Sequence, residues 1–113
     1  MKWALETSRS LDEALPILRN GRIPVVLCER DLHPGTWKDM VEALALLPDP
    51  PYLIVTSKQA DERLWVEALN LGAYDVLQTP FNAAEVTRAL GMAWLRWTDR
   101  RQSLQAKVAK SVA

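Results

Sequence analysis

Apolar and polar positions along this 113-residue chain fall into short blocks of two periods. Trp3-Ala4-Leu5-Glu6-Thr7 alternates large apolar with small or polar residues and predicts a short strand. Ser10-Leu11-Asp12-Glu13 then reads as a capping box, in which Ser10 and Glu13 each satisfy a backbone N–H at a helix start. Leu11, Ala14, Leu15 and Leu18 share one face of that helix, and Asn20-Gly21 ends it. Pro16 lies inside it, where it removes one hydrogen bond and is expected to bend the axis. Pro24 introduces a strand over Val25–Cys28 that stops at Glu29 and runs into the turn Arg30-Asp31-Leu32-His33-Pro34-Gly35. Thr36 and Asp39 cap the next helix, with Trp37, Met40, Val41, Leu44 and Leu47 at helical spacing until Pro48-Asp49-Pro50-Pro51 breaks it. Tyr52–Thr56 is the clearest strand. A helix succeeds it from about Ala60 to Leu71 with Leu64, Trp65 and Ala68 inward, closed by Gly72. Tyr74–Gln78 predicts the last strand, ahead of Thr79-Pro80-Phe81. Asn82 and Glu85 then cap a final helix from Ala83 to about Lys110.

The sum is β-α-β-α-β-α-β-α with short links, which implies a parallel sheet with helices on both faces. In such a sheet, a buried strand that ends at an acid delivers charge to the carboxyl edge, where open α/β folds keep their sites. Fourteen basic side chains balance fourteen acidic ones, so the whole chain has no polyanion-binding charge. A single cysteine excludes an internal disulfide and a Cys-rich metal site, and suits a reducing cytoplasm. No run reaches the roughly 18 apolar residues of a membrane span, and no signal-peptide pattern opens the chain. A cytoplasmic protein is expected.

Four stretches in order resemble the receiver domain of two-component response regulators, the CheY-like family. The strand Val25–Cys28 ending at an acid, with Leu32, a proline turn and Gly35 after it, is similar to the family's phospho-acceptor strand. Ile54-Val55-Thr56-Ser57 resembles the strand whose terminal hydroxyl takes part in switching. Leu71-Gly72-Ala73-Tyr74-Asp75 resembles the Gly-Ala stretch before the last strand, and Thr79-Pro80-Phe81 stands where the family has Lys-Pro-Phe. The resemblance covers residues 3 to 97. It implies a flavodoxin-like, three-layer α/β domain over residues 1–97 and an extension of the last helix over 98–113.

The departures carry as much information. The family's first strand, which ends in two acids, and the helix after it have no counterpart, because Trp3–Thr7 and Ser10–Asn20 match the second strand and helix. The resemblance then places Glu29 at the acceptor position, Thr56 and Val76 at the switch positions, Thr79 at the phosphate-binding lysine and Asp31 in the acidic loop. An alternative alignment on Pro34 puts Arg30 at the acceptor; the first keeps Gly35 in place. Phosphoryl transfer to a carboxylate needs a metal to neutralise charge and a cation at the transferred oxygens. With both missing, a domain that works by protein–protein interaction is expected, not an enzyme, and no cofactor is expected. Glu29, one methylene longer than Asp, could imitate a phosphorylated state; the plainer reading is a solvated carboxylate. Thr56 could act as a switch hydroxyl or simply bond backbone. Asp31 with Glu29 makes a poor site for Mg²⁺. His33 reads as a solvated turn residue and Cys28 as a small buried hydrophobe. The resemblance also implies a cis bond at Thr79-Pro80.

The last helix outruns a receiver helix. Val86, Leu90, Ala93, Trp94, Trp97, Leu104 and Val108 recur at threes and fours. This pattern predicts a helix–helix seam between two copies, with Leu90, Trp94, Trp97 and Leu104 as its candidates. Arg96, Arg100, Arg101, Lys107 and Lys110 against Asp99 leave two other readings, a solvated tail and a nucleic-acid contact. Loss of the family's central first strand adds a further route. Either Trp3–Thr7 slides beside Val25–Cys28, or that apolar strand keeps an open edge able to pair with another chain. A start at an internal Met, with the missing unit upstream, would account for the same gap, and leaves as the alternative a conventional phosphorylatable receiver whose acidic metal site lies outside this chain. The expected partners are a second copy of the chain and a histidine kinase or other signalling protein. No membrane partner is expected.

Overall fold

The computed structural model describes residues 7–20 and 22–112, with side chains through Ser103. Trp3 to Glu6 of the predicted first strand lie outside the described residues, as does the Leu104 side chain. The described elements are, in chain order, α1 (Leu11–Arg19), β1 (Val25–Glu29), α2 (Trp37–Ala45), β2 (Tyr52–Ser57), α3 (Glu62–Asn70), β3 (Asp75–Gln78) and α4 (Ala83–Val112).

Local chemistry sets the helix starts. Ser10 Oγ accepts from the Glu13 N–H at 3.2 Å, and the Glu13 carboxylate accepts from the Arg9 N–H at 2.9 Å, one residue before the expected partner. At α2 the box closes in both directions between Thr36 and Asp39. Asp61 caps α3 through the Leu64 N–H, which starts that helix at Glu62 rather than at Ala60. Asn82 caps α4 through the Glu85 N–H. Pro16 is accommodated within α1. Gly35 and Gly72 hold φ of 89° and 107°, a region that L side chains adopt only with strain, so each turn uses the residue that tolerates it.

The three described strands are parallel in the order β1-β2-β3, with Val25 opposite Tyr52, Glu29 opposite Thr56, and Thr56 opposite Leu77. Side chains alternate across the sheet. Cys28, Leu53, Val55 and Val76 therefore face Leu18 of α1, Trp37, Met40 and Leu44 of α2, and Leu64 and Ala68 of α3 in one buried cluster. Ile54 and Leu77 face the other way, onto Ala89 of α4, with Val25, Tyr74, Val86 and Leu90 at the margin. Helices on both faces match the expected three-layer α/β architecture. Ile54, Val55 and Leu77 are fully buried, each worth about 1.5–3 kcal/mol relative to exposure.

The two faces are not equally covered. Of the described helices three lie on one and α4 alone on the other, and Leu27 of β1, which points to the α4 side, stays 39% exposed. Trp65 also departs from expectation: it is exposed, whereas Leu64 and Ala68 of the same helix are buried.

Candidate functional site

The carboxyl edge of the sheet gathers most of the residues singled out from the sequence. β1 ends at Glu29 and β2 carries Thr56 directly beside it; by alternation both side chains belong to the α4 face. The Arg30 N–H donates to the Thr56 carbonyl at 2.8 Å, and the Thr79 N–H donates to the Ser57 carbonyl at 2.9 Å. The backbone thus draws Glu29, Thr56 and Thr79 to one end of three adjacent strands. Val76 is one strand over and buried, on the opposite face with Cys28 and Val55.

Exposure divides the group. Thr56 is 3% exposed and Ser57 is buried, with Ser57 Oγ accepting from the Gln59 N–H at 3.1 Å. Glu29, Arg30, Asp31, His33 and Pro34 are all exposed. The peptide bonds at His33-Pro34 and Thr79-Pro80 are both cis. Cys28 is buried behind Glu29, and desolvation, with the neighbouring Glu29 charge as a lesser cause, pushes its thiol from 9.0 up to about 11. A thiol held neutral in this way is a poor nucleophile at neutral pH.

A receiver fold implies a divalent cation at this edge, so the fit of the residues matters. Among the described residues no three His, Cys, Asp or Glu side chains converge closely enough to hold a metal ion. Glu29 and Asp31 flank Arg30 on an exposed turn, and Thr79 supplies no cation for transferred oxygens. The described donor set does not fit such an ion.

A second cluster, at the opposite edge, has no counterpart among the sequence-predicted sites. Asp49, in the turn between α2 and β2, accepts from Arg100 Nη2 through Oδ1 at 3.0 Å and pairs with Arg101 Nε through Oδ2 at 3.5 Å. Arg100 also donates to the Pro50 carbonyl, and its guanidinium lies 5.0 Å from the centre of the Tyr52 ring. Tyr52 in turn meets Tyr74 edge-on at 5.1 Å. Arg101 stacks 4.6 Å over Trp97. Trp97 Nε1 and Arg100 Nε are buried without a hydrogen-bond partner, a cost set against these contacts. The only sequence signal for the cluster is the acid within a proline-rich turn, and nothing local pairs it with residues fifty positions on.

The candidates for the α4 seam are partly engaged within the domain. Leu90 packs on the Ile54–Leu77–Ala89 cluster, and Trp94 and Trp97 are half-buried within the domain. Among the described side chains, the large apolar residues that α4 leaves exposed are Met92 and Leu95, one turn apart. Arg100 and Arg101, whose charge suggests a tail or a nucleic-acid contact, are engaged by Asp49. Elsewhere, Lys38 of α2 holds Glu67 of α3 at 2.6 Å; that hydrogen bond first, and the nearby cations after it, draw the exposed Glu67 carboxyl below its usual range. No helix among the described residues is long and apolar enough to cross a membrane.

With this geometry in place, comparison with solved structures gives consistent relatives. The chain is similar to the signal receiver domain of a Luxo repressor protein from Vibrio parahaemolyticus, at TM-score 0.75 and 15% identity, over 85% of this chain and 74% of that one. It is similar to the beryllofluoride-activated NtrC4 receiver domain dimer, at TM-score 0.71 and 22% identity, over 81% and 76%. A CheY-like receiver domain from Methanospirillum hungatei matches at TM-score 0.66 and 18% identity, over 80% and 73%. No protein-family model matches the sequence. No curated protein matches it either. The chain therefore has the receiver-type α/β fold, as the four sequence stretches imply.

Proposed function

We propose that this chain is a receiver-like signalling domain of a two-component system that is phosphorylation-incompetent and works by protein–protein interaction. The observation that carries this reading is the carboxyl edge itself. Strand register sets Glu29 beside Thr56, which supports reading them as acceptor-equivalent and switch hydroxyl, and the resemblance puts neutral Thr79 where the family has its phosphate-binding lysine. Without a metal and a cation the transition state of phosphoryl transfer is left with little electrostatic support. The domain is accordingly a binding module and not an enzyme, requires no cofactor, and resides in the cytoplasm.

Its first partner on this reading is a second copy of itself. α4 supports this: at 30 residues it is about 45 Å long at 1.5 Å per residue, against strands of 4 to 6 residues. It therefore runs past the sheet that it covers and leaves Met92 and Leu95 exposed. The half-covered β1, with Leu27 exposed, offers a second surface. A histidine kinase or another signalling protein is the class of external partner; engagement of Arg100 and Arg101 by Asp49 disfavours nucleic acid.

Incubation with an acyl phosphate donor and Mg²⁺, followed by intact-mass measurement, tests the central claim. No mass gain is expected. Gain of one phosphoryl group, abolished in Glu29→Ala, would make the domain a conventional receiver. Light scattering at micromolar concentration tests the second claim, and a clean monomer would remove self-association.

A further inference from the structure

The cluster at the amino edge of the sheet supports an inference about how α4 leaves the domain. We propose that Asp49 is a positioning residue that fixes both the direction and the rotation of α4 relative to the sheet. It would thereby set the geometry at which two copies of the chain meet; this last step rests on the self-association reading above.

Arg100 and Arg101 are consecutive, so their side chains leave the helix about 100° apart. A single ion pair would let the helix pivot about one point. Here one carboxylate takes both, Oδ1 to Arg100 and Oδ2 to Arg101, which resists turning about the axis as well as lifting from the sheet. The receptor for Arg100 is itself well supported. The Pro50 carbonyl lies just before β2, the central described strand, and Tyr52 is the first residue of that strand. Tyr52 is backed by Tyr74, the residue before β3. On the helix side, Trp97 lies one turn before Arg101 and carries its guanidinium over the ring. Asp49, Arg100 and Arg101 are all partly shielded from solvent, where an ion pair is screened less than on an open surface. Beyond the clamp, α4 continues to Val112, about 16 Å further. A rigid rod anchored at Arg100 and Arg101 carries any change of angle at Asp49 out to that end.

The 113-residue chain, in a Cys28→Ala background, tests this with two measurements. Spin labels at Glu42→Cys and Ser103→Cys, diluted with unlabelled protein, report the distance from α2 to the far part of α4 within one copy. Amide hydrogen exchange over residues 98–112 reports how firmly that part is held. With Asp49 present, a narrow distance distribution and protected amides are expected. In Asp49→Ala, and more mildly in the isosteric Asp49→Asn, the distribution should broaden and exchange should rise about tenfold, with β1–β3 amides unchanged as the check on folding. Unaltered distances and exchange in Asp49→Ala would overturn the proposal, as would equal loss of protection across the strands. A single label at Ser103→Cys then reads the distance between copies. A narrow peak that broadens in Asp49→Ala extends the role to the dimer. Absence of any inter-copy signal in the parent chain removes the dimer step and the self-association reading, while the intrachain measurements still decide the clamp.

Discussion

The two edges of this parallel sheet are built for different tasks. At the carboxyl edge, where α/β folds hold their chemistry, Glu29, Arg30, Asp31 and His33 are exposed around the buried hydroxyl of Thr56. At the amino edge, Asp49, Arg100, Arg101, Tyr52 and Tyr74 form a half-buried network that ties the last helix to the central strand. Charged groups contribute to stability when they are partly desolvated and matched with partners, and contribute little when they stand in water. The residues that would mark a catalytic site are the loosely held ones here, and the tightly held ones serve architecture.

Stability measurements on variants can break or sharpen that contrast. The core between the edges sets the scale: Ile54→Ala, at a fully buried position facing α4, should cost about 2–5 kcal/mol in denaturant unfolding. At the amino edge, Arg100→Ala removes the bond to Asp49, the bond to Pro50 and the stacking on Tyr52. A loss of about 1–2 kcal/mol is expected, discounted for the solvent that still reaches the pair. A cost near zero would mean that the network is decorative.

Cys28 stands between the edges, buried immediately before exposed Glu29. Its thiol is raised in the folded chain, so the folded state resists ionisation that the unfolded chain undergoes freely. Its contribution is fully present below pH 9 and is lost as pH rises through about 11. Cys28→Ala should flatten that part of the stability–pH curve, and iodoacetamide should label the native thiol far more slowly at pH 8 than the denatured one. The smallest effect belongs to the carboxyl edge. Glu29→Ala should change stability by less than about 0.5 kcal/mol. If it also alters self-association, and Glu29→Asp does so too, Glu29 imitates a phosphorylated acid; identical behaviour of all three proteins leaves it a solvated carboxylate.

Much of the fold is legible in the sequence because its signals are local. Helix caps at Ser10, Thr36 and Asn82 act over three residues, and the apolar runs at Val25 and Tyr52 need only their own neighbours to declare strands. The site is legible in outline for the same reason, since strand ends in a parallel sheet come together by register. Helical spacing misplaces Trp65 because it does not say which side of a stripe meets the sheet. Nor does it reveal that Trp94 and Trp97, the candidates for a seam with a partner, are half-covered within the domain.

By itself, then, the sequence determined the alternation of elements, the receiver-type fold and the presence of a neutral side chain at Thr79, all properties of residue type and short-range period. Only the tertiary structure decided that Arg100 and Arg101 belong to Asp49, that α4 is the one described helix on its face of the sheet, and that Leu27 is left partly bare. Those outcomes depend on groups some fifty residues apart meeting at one edge, and on how much surface each helix reaches. Local periodicity carries neither quantity.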